Sequence, residues 1–374
     1  MKIAIIGASI GQKAICEKAK EMGLETYCFA WEKGAICRNI VDHFYPISIF
    51  EIEQIAKICI KEQIDGVVSN ASEDTAEATS KIAELINKPG LPPKIVTSIK
   101  NKFFVRGVSK VIPDLHPIKV WTYNEKDLPT HFPCIVKPNT GSSKQGVSLV
   151  RSKEEFLKAL EYAKESNGNQ IIIEEYFEGQ EISVEALSFQ GRHYIYQITD
   201  KENSGAPHFV ELGHHEPSQL DNPILERIRK IIPSLLTTLN YTNGASHTEM
   251  KINRNGEIAL IEVNPRGGGD EISNTLVALS SGKDYLRGMI EVALGTFEKP
   301  YIIHRPQYAG IYFLCEQTRQ MLDFFKNADN QSWLLEKRVD DSILTNATGN
   351  YNRNGYLIYC ADHKIDALEN QGKT

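Results

Sequence analysis

Two glutamates, Glu249 and Glu262, flank the dipeptide Asn255-Gly256 within the stretch His247–Asn264. Asn-Gly is a strong signal for a two-residue hairpin, because both central residues of a type I′ turn need positive φ. With Arg254 and Glu257 flanking that turn, counting outward sets Glu249 opposite Glu262 and His247 opposite Asn264. Directly opposed side chains have Cβ atoms about 5 Å apart, and strand alternation puts all four on one face. The other face, Met250, Ile252, Ala259, Ile261 and Val263, is apolar, so the carboxylates line a cleft or face water. Opposed like charges repel. A shared proton, solvent or a hard cation can offset that. Two carboxylates and an amide suit Mg²⁺, which takes a few protein oxygens and completes its shell with water and phosphate. The hairpin alone leaves the three solutions open.

A second constellation is Lys137–Gly146, KPNTGSSKQG. Gly141 and Gly146 have the outer spacing of a Walker loop, but Val147 and Ser148 follow where Lys and Ser/Thr are required, so a P-loop is excluded. The glycines and serines can still offer backbone N–H groups and hydroxyls to phosphate oxygens. Lys137 ends the preceding strand as a cation beside them. At the N-terminus, Gly7-Ala8-Ser9-Ile10-Gly11 lacks the G-x-G-x-x-G spacing of a dinucleotide site. It reads as a tight strand-to-helix turn that can touch a substrate.

These groups need elements to hold them. Short apolar runs at Lys2–Ile6, Glu25–Phe29, Asp42–Tyr45 and Gly66–Ser69 read as strands. A helix lies between the last two, with Ile52, Ile55, Ala56, Cys59 and Ile60 on one face. Such alternation implies a parallel sheet covered by helices. Leu91-Pro92-Pro93 marks a boundary. Beyond it come strands at Cys134–Val136, Val147–Val150, Gln170–Tyr176, Glu181–Phe189 and Tyr194–Thr199, the last two joined as a hairpin through Gln190-Gly191. Ser152 with Glu155 makes a capping box that opens a helix. A longer helix over Pro223–Leu239 turns Leu225, Ile228, Ile232, Leu235 and Leu239 to the core.

Length and charge set the frame. A chain of 374 residues argues for two or three compact units. Hydrophobic content of 41% and charged content of 24% argue against wholesale disorder. A net charge of −6 argues against nucleic-acid binding by bulk charge. The seven cysteines show no C-x-x-C pair, which disfavours a thiolate zinc site and suggests a reducing compartment. No apolar run approaches membrane-spanning length, and the run Ile3–Ile6 breaks at Gly7, as suits a first strand better than a signal segment. The chain is read as cytoplasmic, with no nucleic-acid or membrane partner.

Taken in order, five pieces resemble the ATP-grasp superfamily, in its carboxylate–amine ligase branch. They are Lys102 in a helix after the first region, IVKPNTGSSKQGV with Lys137, IIIEEYFEGQEIS, HTEM with Glu249, and IEVNPRGGG with Glu262, Asn264 and Arg266. The resemblance covers roughly residues 1–300. It implies an α/β fold: a Rossmann-like parallel-sheet domain over 1–100, an ATP-grasp module over 101–300 and a C-terminal extension over 301–374. Within the module it implies a small lid over about 118–176 and a large α+β subdomain over about 177–300.

The resemblance also implies roles. Lys102 and Lys137 would contact ATP phosphates, with Ser142, Ser143 and Gly146 closing over them. Glu174 would meet the adenine amino group, the backbone of Glu175 and Phe177 would form the adenine hinge, and Glu181 would accept from the ribose. Lys201 is a looser match to a further phosphate lysine. Glu249, Glu262 and Asn264 would hold Mg²⁺, with Mn²⁺ able to substitute, and His247 would orient that face or contact phosphate. Arg266 would neutralise the transferred phosphate or a substrate carboxylate. The activity implied is an ATP-dependent ligase that joins a small-molecule carboxylate, an amino acid or small acid, to an amine through an acylphosphate. A carbamoyl-phosphate synthase-like or purine-biosynthesis-type enzyme and a non-catalytic ATP-binding protein are the alternatives. Substrate recognition would draw on Arg266, Gly267–Gly269, Pro207–Ser218 and Asn70–Asp74, with Glu73 to be tested there. His214-His215-Glu216 is an unfavourable zinc site, because adjacent residues on an extended segment point opposite ways. The extension after Pro300 completes either the substrate pocket or a dimer surface, which leaves a homodimer open.

Overall fold

The computed structural model describes residues 1–124, 129, 131–141, 145–166, 170–340 and 343–368. The first region alternates β1 (Lys2–Ile6), α1 (Ile10–Glu21), β2 (Glu25–Phe29), β3 (His43–Tyr45), α2 (Ile52–Lys61), β4 (Gly66–Val68) and α3 (Glu73–Leu85). Its four strands form a parallel sheet in the order β3-β2-β1-β4. Both faces are covered, as the unbroken apolar run of β1 requires. Ala4, Ile6, Tyr27 and Phe29 pack with Ile55 and Cys59 of α2 and with Ala78 and Ile82 of α3. Ile60 does not share that packing and is 61% exposed, because the buried stripe of α2 narrows to Ile55, Ala56 and Cys59.

Two short helices, α4 (Pro93–Lys100) and α5 (Lys102–Ser109), lead to β5 (Leu115–His116). A second, antiparallel sheet then holds β6 (Val120–Thr122), β7 (Cys134–Pro138), β8 (Ser148–Val150) and β9 (Ile171–Glu175) in the order β6-β9-β7-β8. The helix α6 (Lys153–Glu165) covers one face, burying Phe156 and Leu160 against Val136, Val150 and Ile173. At its start the Ser152 hydroxyl accepts from Glu155 N at 3.2 Å, while the Glu155 carboxylate accepts from Arg151 N at 2.7 Å.

The third sheet has nine strands. Its first five elements are β10 (Gln180–Phe189), β11 (Arg192–Asn203), β12 (Glu211–Glu216), β13 (Gly244–Ile252) and β14 (Ile258–Asn264), with α7 (Asn222–Thr238) between β12 and β13. Then come α8 (Val277–Ser281), α9 (Tyr285–Leu294), β15 (Tyr308–Leu314), α10 (Leu322–Asn327), β16 (Leu334–Val339) and β17 (Gly355–Ala361). The order is β16-β17-β15-β12-β11-β10-β13-β14-β5, so the segment after Pro300 adds three strands to the sheet that carries Glu249. The turn Gln190-Gly191 has positive φ at both residues, 50° and 74°, as a type I′ hairpin needs. On one face α7 buries Ile228, Ile232 and Leu235 against Ile182, Val184 and Met250, while Leu225 is only partly buried. On the other face α9 joins this sheet and the first one in a single core: Leu286, Met289 and Ile290 pack with Ile3, Val68 and Leu187. Among the described residues, no helix is long and apolar enough to cross a membrane.

The β13–β14 hairpin differs from the sequence expectation in two places. Its loop is Asn253–Glu257, not a two-residue turn: Gly256 has φ +74° but Asn255 stays at negative φ. Asn253 organises the loop instead, its Oδ1 accepting from Asn255 N and Glu257 N at 3.0 Å each. Ile252 therefore pairs with Ile258, one residue out of the expected register. A β-bulge between Glu249 and Met250 then takes up one extra residue, Ile261, and restores the partners Glu249↔Glu262 and His247↔Asn264. A bulge also resets strand alternation. Ala259 and Ile261 accordingly leave the expected apolar face and pack with Ile118 and Phe177, while Met250, Ile252, Ile258, Leu260 and Val263 form the core.

Candidate active site

A cleft of about 140 Å³ lies between the four-stranded antiparallel sheet and the nine-stranded sheet. Ile118, Ile135, Val147, Phe177 and Ile261 give it an apolar slot, and Lys102, Lys137, Glu174, Glu181, Glu249 and Glu262 give it charge. Helix geometry places Lys102 and Arg106, four residues apart on α5, on the same side. Asn101 caps α5 by accepting from Phe104 N at 2.9 Å. Asn139, just past β7, ties that helix end to the four-stranded antiparallel sheet, its backbone oxygen accepting from Lys102 N at 3.0 Å and its Oδ1 from Phe103 N at 2.8 Å.

One buried carboxylate serves two cations at the floor of the slot. Glu174 lies 2.9 Å from Arg106 Nε and 2.6 Å from Lys137 Nζ. Burial alone would raise its carboxyl, but Arg106 and Lys137 outweigh that and hold it at about 2. Lys137 is the weaker partner. Burial, with Arg106 and Lys102 nearby, outweighs Glu174 and pulls its ammonium down to about 8. Arg106 also donates from Nη2 to the backbone oxygen of Ile261, the bulge residue, at 2.8 Å.

The opposed carboxylates each meet an ammonium. Glu262 is 3.2 Å from Lys102 Nζ, and Glu249 is 2.6 Å from Lys201 Nζ. Lys201 is buried behind the cleft and also lies 3.3 Å from both Glu181 and Glu211. Burial opposes its charge, yet the three carboxylates hold its pKa well above the ordinary value. Glu181, Glu211 and Glu249 are the one group with metal-ligating proximity among the described residues, and Lys201 supplies its positive charge. Behind Glu249 stands His247, whose Nε2 is 3.2 Å from Glu249 and whose Nδ1 bonds Glu185. Burial would lower the imidazole, but Glu185 outweighs it and lifts the ring to about 9.

Glu185 reaches a further turn: its Oε2 accepts from Gly268 N at 3.0 Å. That turn packs tightly. A Cβ on Gly268 would lie 2.9 Å from Glu185 Oε1, and one on Gly267 would lie 2.5 Å from Asn70 Oδ1. Asn70 donates from Nδ2 to Ser273 Oγ and Asn274 Oδ1 at 2.9 Å each, which joins the first region to the turn. Between them opens a second chamber of about 440 Å³, bounded by Ser9–Gln12, Ala71 and Ser72 on one side and by Gly269–Glu271, Asn274 and Asn350 on the other.

The cleft thus gathers Lys102, Lys137, Glu174, Glu175, Phe177, Glu181, Glu249 and Glu262. Glu175 N is committed to Lys119 O at 2.9 Å, and the Glu181 carboxylate also accepts from Asn203. Lys201 and Asn264 are buried beside the cleft rather than lining it. Arg266 faces a separate, mainly apolar pocket with Ser69, Ser72 and Met289, and it donates to Gly267 O at 2.9 Å. Gly146 adopts φ +72° where a Cβ would meet Pro138 and Ser166 at 2.9 Å. Ser142 and Ser143 lie outside the described residues. Glu73, half-buried, has its carboxyl raised by burial and by Glu262. His214 and His215 do point apart, toward Asp270 and Glu202 respectively. Sequence reasoning missed Arg106 and Glu185. Arg106 was within reach as the i+4 partner of Lys102; Glu185 sits on an otherwise apolar strand and carried no local signal.

The family described as ATP-grasp domain matches residues 130–275. Alanine–anticapsin ligase of Bacillus amyloliquefaciens is 28% identical over 246 residues, which are 58% of this chain and 47% of that ligase, so the match spans under half of it. The solved structure of an L-amino acid ligase from Bacillus licheniformis superposes with a TM-score of 0.79 at 22% identity, covering 97% of this chain and 93% of that one. N5-carboxyaminoimidazole synthetase from Staphylococcus aureus, complexed with ADP, gives a TM-score of 0.75 at 14% identity, with coverage of 97% and 93%. At these identities the two structures speak for the fold.

Proposed function

We propose that the chain, whose residues 130–275 match the family described as ATP-grasp domain, is an ATP-dependent carboxylate–amine ligase. The observation that carries this reading is the ladder pair Glu249 and Glu262, opposed across β13 and β14 in a cleft that also holds Lys102 and Lys137. A carboxylate oxygen of one substrate attacks the γ-phosphorus of ATP. The O–P bond to ADP breaks, and ADP leaves with its electron pair. The amine of the second substrate then attacks the acyl carbon and loses a proton. Inorganic phosphate leaves as the amide bond closes. No protein nucleophile is required, so catalysis rests on positioning and on charge stabilisation.

The residues assign themselves by chemistry. The apolar slot takes the adenine ring, with the backbone of Glu175 and Phe177 at its edge and Glu174 at its floor. Glu181 accepts from the ribose. Lys102 and Lys137 neutralise phosphate oxygens, and Arg266 neutralises the substrate carboxylate or the transferred phosphoryl group. The donor set of Glu249, Glu262 and Asn264 is all oxygen, and both carboxylates already draw an ammonium to within 3.2 Å, so the site suits a hard cation and would hold Mg²⁺, or Mn²⁺ in its place. Bound there, the ion would offset the negative charge of the phosphates. Lys201 and His247 hold Glu249 by direct contacts, and Glu185 holds His247 in turn.

The test is a panel of the twenty common amino acids in pairs, together with small carboxylic acids lacking an amine and amines lacking a carboxylate, with MgATP, read as ADP and phosphate release. Turnover should require both a carboxylate and an amine, and Glu262→Gln should cut it by about a hundredfold or more. Unchanged turnover in that variant would overturn the reading.

A further inference from the structure

The segment Asn350–Arg353 lies just before β17, in the extension whose purpose the sequence left open. It reaches back to Asp270 and Glu211. Arg353 Nη2 and Nη1 bind Asp270 Oδ1 and Oδ2 at 2.6 and 3.0 Å, a two-pronged pair, and Nη1 also donates to Glu211 O at 3.3 Å. Asn350 Nδ2 donates to the same Asp270 carboxylate, and Asn350 Oδ1 accepts from Glu211 N, each at 3.1 Å. The Arg353 side chain is 10% exposed, and its guanidinium lies 3.5 Å from the ring centre of Phe313. A planar guanidinium held by a ring and two carboxylate oxygens has little freedom.

What it holds is under backbone strain. Asp270 and Glu271 both adopt the left-handed conformation, φ 50° and 64°, directly after Gly267–Gly269. Consecutive non-glycine residues there cost energy and persist only when their surroundings fix them. The chamber they bound shares no lining residue with the cleft proposed for ATP. Beside Ile10, Ala71 and two glycines it is lined by hydroxyls, amides and the carboxylates of Asp270 and Glu271, with no lysine or arginine; Arg353 already offsets the charge of Asp270, and the remaining acceptors favour a hydrogen-bond-donating group such as an amine over an anion.

We propose that Arg353, with Asn350, positions the strained Asp270–Glu271 turn, so that the C-terminal extension completes a chamber for the amine substrate. This rests on the ligase reading for the identity of the substrate but not for the positioning itself. Arg353 acts through Asp270; it is a positioning residue. Asn350 lines the chamber directly.

Two measurements separate the two levels. The first needs no turnover: amide hydrogen exchange over residues 267–271, at matched pH, in Arg353→Ala, Arg353→Lys and, as a control, the exposed Arg338→Ala. Exchange at the turn should speed up about tenfold or more in Arg353→Ala, less in Arg353→Lys, and not in Arg338→Ala, while residues 171–177 exchange as in the native chain. Unchanged exchange at the turn overturns the positioning role. The second uses the amino-acid pair that gives most phosphate release in the panel. In Arg353→Ala the KM for the amine should rise about tenfold or more, with the KM for ATP within about twofold. In Arg353→Ala/Asp270→Asn, which removes the uncompensated carboxylate and keeps a residue suited to positive φ, thermal stability should return while the amine KM stays high. An amine KM restored together with stability, or a rise confined to the carboxylate substrate, overturns the assignment of the chamber. If the native chain shows no turnover with any pair, the ligase reading fails and the exchange result alone decides the positioning role.

Discussion

Glu174, Lys137 and Arg106 show how a single carboxylate divides itself between two cations. Lys137 is the partner that gives way, and its ammonium falls from an ordinary 10.5 to about 8. In the unfolded chain the proton leaves only near the ordinary value. Between those two pH values the unfolded chain binds more protons, so this group makes stability rise as pH climbs from about 8 toward 10.5. Nucleotide binding runs the other way. Phosphate oxygens favour the ammonium, so MgATP affinity is full below about pH 8 and falls above it. Calorimetry should show a Kd that is flat to about pH 7.5 and then weakens by up to about tenfold per pH unit. Lys137→Gln should bind more weakly throughout and lose that slope. A native Kd that is level from pH 7 to 9.5 would remove Lys137 from the phosphate site.

The β13–β14 hairpin is the element that places the two carboxylates, and it shows what the sequence can and cannot disclose. Alternation and the Asn-Gly signal located the pair Glu249 and Glu262, and the ladder has that pair. The route was wrong by one residue twice: once at the turn and once at the bulge, with opposite sign. The turn misled because Asn253, two residues before Asn255, offers a side-chain acceptor to two backbone donors, a competition that dipeptide preferences do not capture. The bulge could not be read because its cause is not local. Ile261 O is held by Arg106, more than a hundred residues earlier, and the resulting twist sends Ile261 into the apolar slot. Strand and helix positions in the first region were legible because their apolar periods are local; the ion-pair roles of Lys201 and Asp270 were not, because their partners come from distant segments. The loop makes a direct prediction. Asn253→Ala should cost about 1–2 kcal/mol in chemical denaturation, since two backbone donors lose their acceptor, while Asn255→Ala should cost less than about 0.5 kcal/mol, because its φ is negative. Equal costs would mean that a type I′ turn forms in solution.

Across the whole molecule, the nine-stranded sheet is what joins the first region, the cleft and the C-terminal strands, and it contains one carboxylate at an unfavourable depth. Glu216, on β12, is 1% exposed and pairs across the ladder with Ala309 of β15. It accepts from Thr199 Oγ1 at 2.7 Å and from Ser280 Oγ of α8 at 2.6 Å. Two hydroxyls do not match the water it has lost. Burial, reinforced by the charge of Glu185, outweighs them and lifts the carboxyl to about 8. The unfolded chain releases this proton near 4.5, so between about pH 4.5 and 8 the folded state binds more protons and stability falls as pH rises through that window. Above about 8 both states are ionised and the loss is complete. Glu216→Gln keeps the shape and one acceptor oxygen, as the protonated carboxyl does, but has no charge to bury. Its unfolding free energy should therefore match that of the native chain near pH 5, exceed it by a few kcal/mol at pH 8.5, and hold that margin at higher pH. Lys137 acts only above that window and is present in both proteins, so the difference between them isolates Glu216. A margin that stays constant from pH 5 to 8.5 would show that Glu216 is ionised in the folded sheet throughout, with Thr199 and Ser280 sufficient to hold it.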